Sequence, residues 1–201
     1  MSTKVPKRQG VRGKGKSAIR EWIESILVAF ILAMFIRTFI VQAFKIPTGS
    51  MRPTLLEGDL ILVNKFIYGA KVPFTKFRLP AVSKIQRGDV IVFIYPEDPK
   101  KDFIKRLIGF GGDTVEIKNG TIYINNKPLL ERAFSQRYYY NRGDYAQEDE
   151  KIIVPPESYF VLGDNSASSK DSRYWGFVPE QNILGKAMVI YWPPNRIRII
   201  K

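Results

Sequence analysis

The chain has 201 residues, 45% of them hydrophobic, which suits one packed domain plus an anchor and is too apolar for a disordered chain. It contains no cysteine and no histidine, which excludes thiol nucleophiles, disulfides, Cys- or His-ligated metals and a Ser-His-Asp triad, so the base of any hydrolase here must be Lys, Asp, Glu, Tyr or the amino terminus. The net charge of +13 suggests nucleic acid, but residues 1–20 carry seven basic side chains and no acidic one, about half the excess, and a basic tail before an apolar stretch favours the anionic cytoplasmic face of a membrane.

Residues 1–20 are rich in Lys, Arg, Gly and Ser without periodicity and read as a basic cytoplasmic tail. Residues 21–44 hold the most apolar segment, uninterrupted from Ile26 to Ile36, with Glu24 near one end and Arg37 at the other. A span needs roughly 20 apolar residues; the two charges lie close enough to the interfaces to snorkel, and Trp22 suits a headgroup belt. The reading is one transmembrane anchor, against the alternative of a buried or surface-lying helix. No small-x-small site follows before Lys45, which argues against a cleaved secretory signal.

Lys45–Leu55, KIPTGSMRPTL, comes next. Pro47, Gly49 and Pro53 stop the helix and put Ser50 in a constrained turn. A hydroxyl on such a turn can face a cleft while its own N–H points at the same substrate atom, which acyl transfer requires. A turn serine bonded to its own backbone fits the residues equally. The nearness of this turn to the anchor predicts an exposed apolar patch at the bilayer, with Phe44, Ile46, Met51 and Leu55 its nearest candidates; packing of all four in the β core is the alternative, and for Leu55 the favoured one.

From residue 45 onward the pattern is short β runs: Leu60–Asn64, Val90–Tyr95, Phe103–Ile108, Thr114–Lys118, Thr121–Asn125, Tyr159–Leu162 and Ala187–Trp192. Asn119-Gly120 between two alternating runs predicts a tight hairpin. The expected fold of residues 45–201 is mainly β, an antiparallel sheet or partly closed barrel. In the third run, Phe103, Lys105 and Leu107 share one face and Arg106 points the other way. A lysine on an apolar face must be neutral or paired, and burial lowers its pKa; a solvent-facing lysine on an edge strand is the alternative. Residues 131–151 are polar and aromatic, break the pattern and read as an insertion loop.

Gly163–Pro179, GDNSASSKDSRYWGFVP, is dense in Ser, Asp and Asn. It reads as a polar loop or as a cation site of Asp164, Asn165 and Asp171, without the spacing of an EF-hand. Asp171 and Arg173 are spaced to form a two-point ion pair.

Four segments in order, PTGSMRPTL (47–55), RGDVIVF (87–93), IKRLIGFGGD (104–113) and GDNSASSKDSRYWGFVP (163–179), together resemble the boxes of bacterial type I signal peptidases, over nearly all of residues 21–192. The resemblance implies a Ser–Lys serine protease without metal or cofactor. In it Ser50 is the nucleophile and Lys105 the general base. The Ser50 N–H and the Thr48 hydroxyl form the oxyanion hole, and Ser169 hydrogen-bonds the lysine. Asp164, Asp171, Arg173 and Arg106 form the supporting network. It further implies preprotein substrates cut after small-x-small, Ala-x-Ala-like sites, a lipid bilayer and a nearby secretion translocon as partners, and no nucleic acid. The implied location is the bacterial inner membrane, single-pass, with the catalytic domain on the outer face.

Two departures stand out. Ser166 and Ala167 replace the usual Arg and Asp, so one supporting charge pair is missing, and Phe110-Gly111-Gly112-Asp113 lacks the usual proline. Two rivals are a self-cleaving Ser–Lys repressor and a membrane-tethered β module that binds partners or nucleic acid through its basic surface. The apolar helix, and the lack of a helix-turn-helix before the β region, speak against the first; the second gives no reason for Ser50, Lys105 and Ser169 in their box contexts.

Overall fold

The computed structural model describes residues 18–69, 72, 75 and 77–201, so most of the basic tail, residues 1–17, lies outside the described residues. The chain divides into two units at Phe35/Ile36. The first carries helix α1 (Ala18–Phe35), built from straight-chain and apolar residues with Glu21 in its first turn, where a carboxylate complements the helix dipole. None of its side chains is buried. With the π-helical turn Ile36–Ile40 the apolar helical stretch reaches 23 residues, long enough to cross a bilayer.

The helix was expected to run to Phe44. Instead Val41–Lys45 forms strand β1, paired with β2 (Leu60–Asn64) from Val41↔Asn64 to Lys45↔Leu60. The β-branched run around Ile36, Thr38, Ile40 and Val41 weakens helix and favours strand, and pairing with β2 satisfies the backbone that the helix releases.

The second unit is mainly β. Strands β3 (Val90–Ile94), β4 (Asp102–Phe110), β9 (Ser158–Leu162), β10 (Val178–Pro179) and β11 (Ile183–Trp192) join β1 and β2 in the order β1-β2-β11-β3-β4-β9-β10, with β12 (Arg198–Ile199) on β11. All pairings are antiparallel. Register breaks in β11, and between Leu107 and Gly109 in β4, curl the sheet into a half-barrel. A smaller sheet orders β7 (Lys127–Pro128), β6 (Thr121–Ile124), β5 (Thr114–Lys118) and β8 (Ile152–Ile153) as β7-β6-β5-β8. The β5–β6 hairpin turns on Asn119 and Gly120, both at positive φ (47° and 76°), as the dipeptide predicts.

Three apolar clusters form the core. One lies under the small sheet, one joins β2, β3 and β11, and one joins β3, β4 and β9 to Trp175. Ile46, Met51 and Leu55 are buried in the second cluster and Phe44 packs on it. The expected exposed patch at these positions is therefore not present: strand β1 turns its alternate side chains inward, and the following turn uses Met51 as a plug. The insertion, residues 131–151, also contributes to the core. It contains helix α2 (Arg132–Ser135), and Phe134, Tyr139 and Ala146 are buried in the first cluster.

Candidate active site

Ser50 occupies a single 3-10 turn, Gly49–Met51, directly after β1. The chain is locked on both sides. Ile46 N bonds to Asp59 O at 2.9 Å and Gly58 N returns to Ile46 O at 2.9 Å. Asp59 accepts from Leu56 N at 2.8 Å and from Arg196 at 2.7 and 2.8 Å. Met51 is fully buried; truncating such a side chain to Ala costs roughly 2–5 kcal/mol, so the turn is anchored by packing as well as by hydrogen bonds. From the opposite side Asn165 N bonds Ser50 O at 3.0 Å and Asn165 Nδ2 bonds Gly49 O at 3.1 Å.

Lys105 projects from β4 toward this turn. Its Nζ lies 2.8 Å from Ser50 Oγ and 3.0 Å from the Ile104 carbonyl oxygen, 5.4 Å from the centre of the Phe103 ring. Lys105 is 4% exposed. Burial disfavours its ammonium form and pushes the pKa down to about 8; the nearby Asp171 and Asp164 oppose the shift and Arg173 adds to it. The same group is therefore near a 1:1 mixture of acid and base at mildly alkaline pH, where an ordinary lysine is almost wholly protonated.

Behind the pair stand two fully buried ion pairs. Arg106, on the other face of β4, holds Asp164 through two contacts of 2.7 Å and also donates to Gly88 O at 2.6 Å. Arg173 holds Asp171 through two contacts of 2.8 Å. Asp171 also caps helix α3 (Ser172–Trp175) and accepts from Gly163 N at 3.0 Å. Both carboxylates of the cation-site alternative are thus taken by guanidinium groups. Buried pairs of this kind persist only when their remaining polar atoms are satisfied, and Arg173 meets that condition through Tyr140 O, Ser166 Oγ and Ser166 O at 2.7–2.9 Å.

The structure brings Thr48, Ser50 and Lys105 onto one cleft of about 390 Å³, which Asp102, Phe103 and Ser168 also line. The Thr48 hydroxyl makes no capping bond to the turn that follows it. Ser169 is buried nearby, but its Oγ has no hydrogen-bond partner. The bond to the lysine implied by the resemblance is not formed here, since Lys105 Nζ is directed to Ser50 and Ile104. Beside the cleft β4 is half open: it pairs β3 from Asp102 to Arg106, whereas β9 pairs it only from Arg106 to Phe110. A larger hollow of about 640 Å³, near Tyr68, Ile85 and Phe110, contains none of the candidate residues.

Asn165, read in the sequence only as part of a cation-site alternative, clamps the Ser50 turn. Two further contributors were not singled out. Thr54 donates to Asp164, and Arg137 donates to both Thr54 (2.9 Å) and Asp164 (3.1 Å).

Comparison with known proteins adds an independent line. A family profile described as "Signal peptidase, peptidase S26" matches residues 19–192. A signal peptidase I of Leptolyngbya laminosa is 40% identical, over 92% of this chain and 85% of that one. Signal peptidase I of Aquifex aeolicus is 36% identical (87% and 84%) and that of Pseudomonas aeruginosa 35% identical (88% and 74%). A crystal structure of a signal peptidase I from Enterococcus faecalis is 38% identical and covers 53% of this chain and 98% of that one, with a TM-score of 0.43.

Proposed function

Because this chain belongs to the signal peptidase family, peptidase S26, we propose that it is a membrane-anchored serine endopeptidase that removes signal peptides from secreted preproteins. Ser50 is the nucleophile and Lys105 the general base. The observation that carries this reading is the 2.8 Å contact between Ser50 Oγ and a buried lysine Nζ on the wall of one cleft. A protonated lysine cannot accept a proton, and burial supplies the neutral form.

In the proposed cycle neutral Lys105 takes the Ser50 proton while Oγ attacks the scissile carbonyl carbon. The carbonyl oxygen becomes an oxyanion stabilised by the Ser50 N–H and the Thr48 hydroxyl, each such donor being worth about 2.7–4 kcal/mol of barrier. The Lys105 ammonium then gives its proton to the leaving amine, and the C–N bond breaks to leave an acyl-serine. Lysine, again neutral, takes a proton from the water that attacks the acyl carbon and returns it to Ser50 Oγ as the C–Oγ bond breaks and the acid product leaves. The open edge of β4 at Asp102–Lys105 supports substrate binding as an added strand. Its backbone bonds give affinity, and shallow pockets for alternate side chains select a small-x-small site.

The anchor is the apolar helical stretch up to Ile40, followed by the β-rich catalytic domain. By the positive-inside rule the basic tail lies in the cytoplasm and the catalytic domain on the outer face of the bacterial inner membrane, beside the secretion translocon that delivers preproteins. The bilayer concentrates enzyme and substrate together. The test is to incubate the detergent-solubilised protein with a preprotein and sequence the product. One discrete mature chain, beginning after a small-x-small site, is expected; no cleavage, or cleavage unrelated to such sites, overturns the proposal. External protease on spheroplasts, expected to digest the β domain, tests the orientation.

A further inference from the structure

Asp164 is where four separate segments of the chain meet. It accepts from Arg106 on β4, the strand that carries Lys105, and from Thr54 on the loop that follows Ser50. Its third donor is Arg137, from the insertion, at 3.1 Å. Arg137 also donates to Thr54 at 2.9 Å and to Ala133 O within its own segment. Its side chain is 14% exposed, so water screens these contacts poorly. One carboxylate thus faces two guanidinium groups, and the second comes from outside all four sequence boxes.

The insertion is fastened to the site loop at further points. Tyr140 N bonds Ser166 Oγ at 2.9 Å, Arg142 bonds Ala167 O at 2.9 Å and Tyr145 N bonds Arg173 O at 2.9 Å. Two of these contacts fall on Ser166 and Ala167 and the third on Arg173 of the same loop. Phe134 and Tyr139 root the same segment in the core, so Arg137 is delivered from a fixed support.

We propose that Arg137 is a positioning residue for the Ser50–Lys105 pair, acting through Asp164 and Thr54, and that residues 131–151 serve the active site as a clamp. The inference rests on the dyad assigned above. It has two consequences. Through Thr54 and Asp164, the two acceptors it shares with Arg106, Arg137 ties the loop after Ser50 to the base strand. Through Asp164 it balances a negative charge close to Lys105. The charged groups acting on Lys105 are Asp171 and Asp164, which favour its ammonium form, and Arg173, which disfavours it. Asp102 and Lys170 line the same cleft, and the buried Tyr139 phenol lies within the electrostatic reach of Asp164, Arg137 and Arg106. Removing the Arg137 charge leaves Asp164 balanced by Arg106 alone, and the local field becomes more negative.

The experiment measures kcat and KM against pH for the full chain in detergent micelles, using a preprotein, with melting followed in parallel. Arg137→Gln keeps amide donors but loses the charge. Its acidic limb should move up by roughly 0.5 pH unit, and kcat should fall about three- to tenfold with KM little changed. Arg137→Lys should restore the limb. A Gln variant that melts lower but keeps the wild-type limb and kcat would show a purely structural prop and overturn the proposal, as would failure of lysine to restore the limb. Should Arg137→Gln not fold, the lysine variant decides: a wild-type limb supports the role and a displaced one overturns it. Failure of the dyad itself is seen separately, as cleavage that survives in Ser50→Ala.

Discussion

A Cβ at Gly163 would lie 2.6 Å from the carbonyl oxygen of Ser50 and would collide with Ser169 Oγ. The end of β9 therefore touches the backbone of the Ser50 turn directly, and only a residue without a side chain fits. Gly163→Ala must push the turn away from Lys105 or displace the loop that Asn165 fastens to it. Since a misplacement of about 1 Å can cost on the order of 10²-fold in rate, kcat is expected to fall by about that factor, with a lower melting temperature. A Gly163→Ala enzyme with near wild-type kcat would show that the contact has no mechanical consequence.

Asp171 is fully buried and holds Arg173 by two charged contacts while accepting from Gly163 N. Asp171→Asn leaves an unpaired guanidinium in the interior, and breaking a buried pair in this way costs about 3–5 kcal/mol. Urea unfolding should show a lower midpoint with an unchanged slope. A loss below about 1 kcal/mol would mean that water reaches Arg173.

Lys105 is a cost to stability as well as a candidate base. Its folded pKa of about 8 lies below the ordinary 10.5, so between those values the unfolded chain binds more protons and stability rises with pH. The penalty is fully present below about pH 8 and fades toward pH 10.5. Lys105→Met should therefore stabilise the protein at pH 7 by on the order of 3 kcal/mol, a gain that shrinks in alkaline buffer. Thermal unfolding at both pH values checks this; a destabilised Met variant at pH 7 would contradict the burial argument.

The same shift predicts the pH profile. The proposed cycle requires deprotonated Lys105, so kcat/KM should rise with pH along a limb centred near 8, the value for the free enzyme. A limb near pH 4 would instead identify a carboxylate base.

Much of this architecture was legible in the sequence because alternation and turn chemistry are local. The runs at Leu60–Asn64 and Thr114–Lys118 form strands with those bounds, and Asn119-Gly120 forms its hairpin. Strand β1 was hidden because Val41–Lys45 follows the apolar helix with no Gly or Pro to mark where the helix stops. The alternation around Lys105 placed Arg106 on the opposite face, but could not show that this face is buried too; that follows from the small sheet and insertion packed behind β4, which no single strand reveals. Arg137 was invisible for a related reason: it lies outside every box, far in sequence from its partner Asp164, and the packing of Phe134 and Tyr139 carries it there.

The central claim is that Ser50 and Lys105 act as one unit, and the most direct measurement compares kcat/KM for preprotein cleavage by the wild type, Ser50→Ala and Lys105→Ala, with folding verified by melting. Both variants should remain folded and lose at least about 10³-fold in activity, because neither a hydroxyl without a base nor a base without a nucleophile supports acyl transfer. Cleavage within about tenfold of wild type by either folded variant would contradict the account.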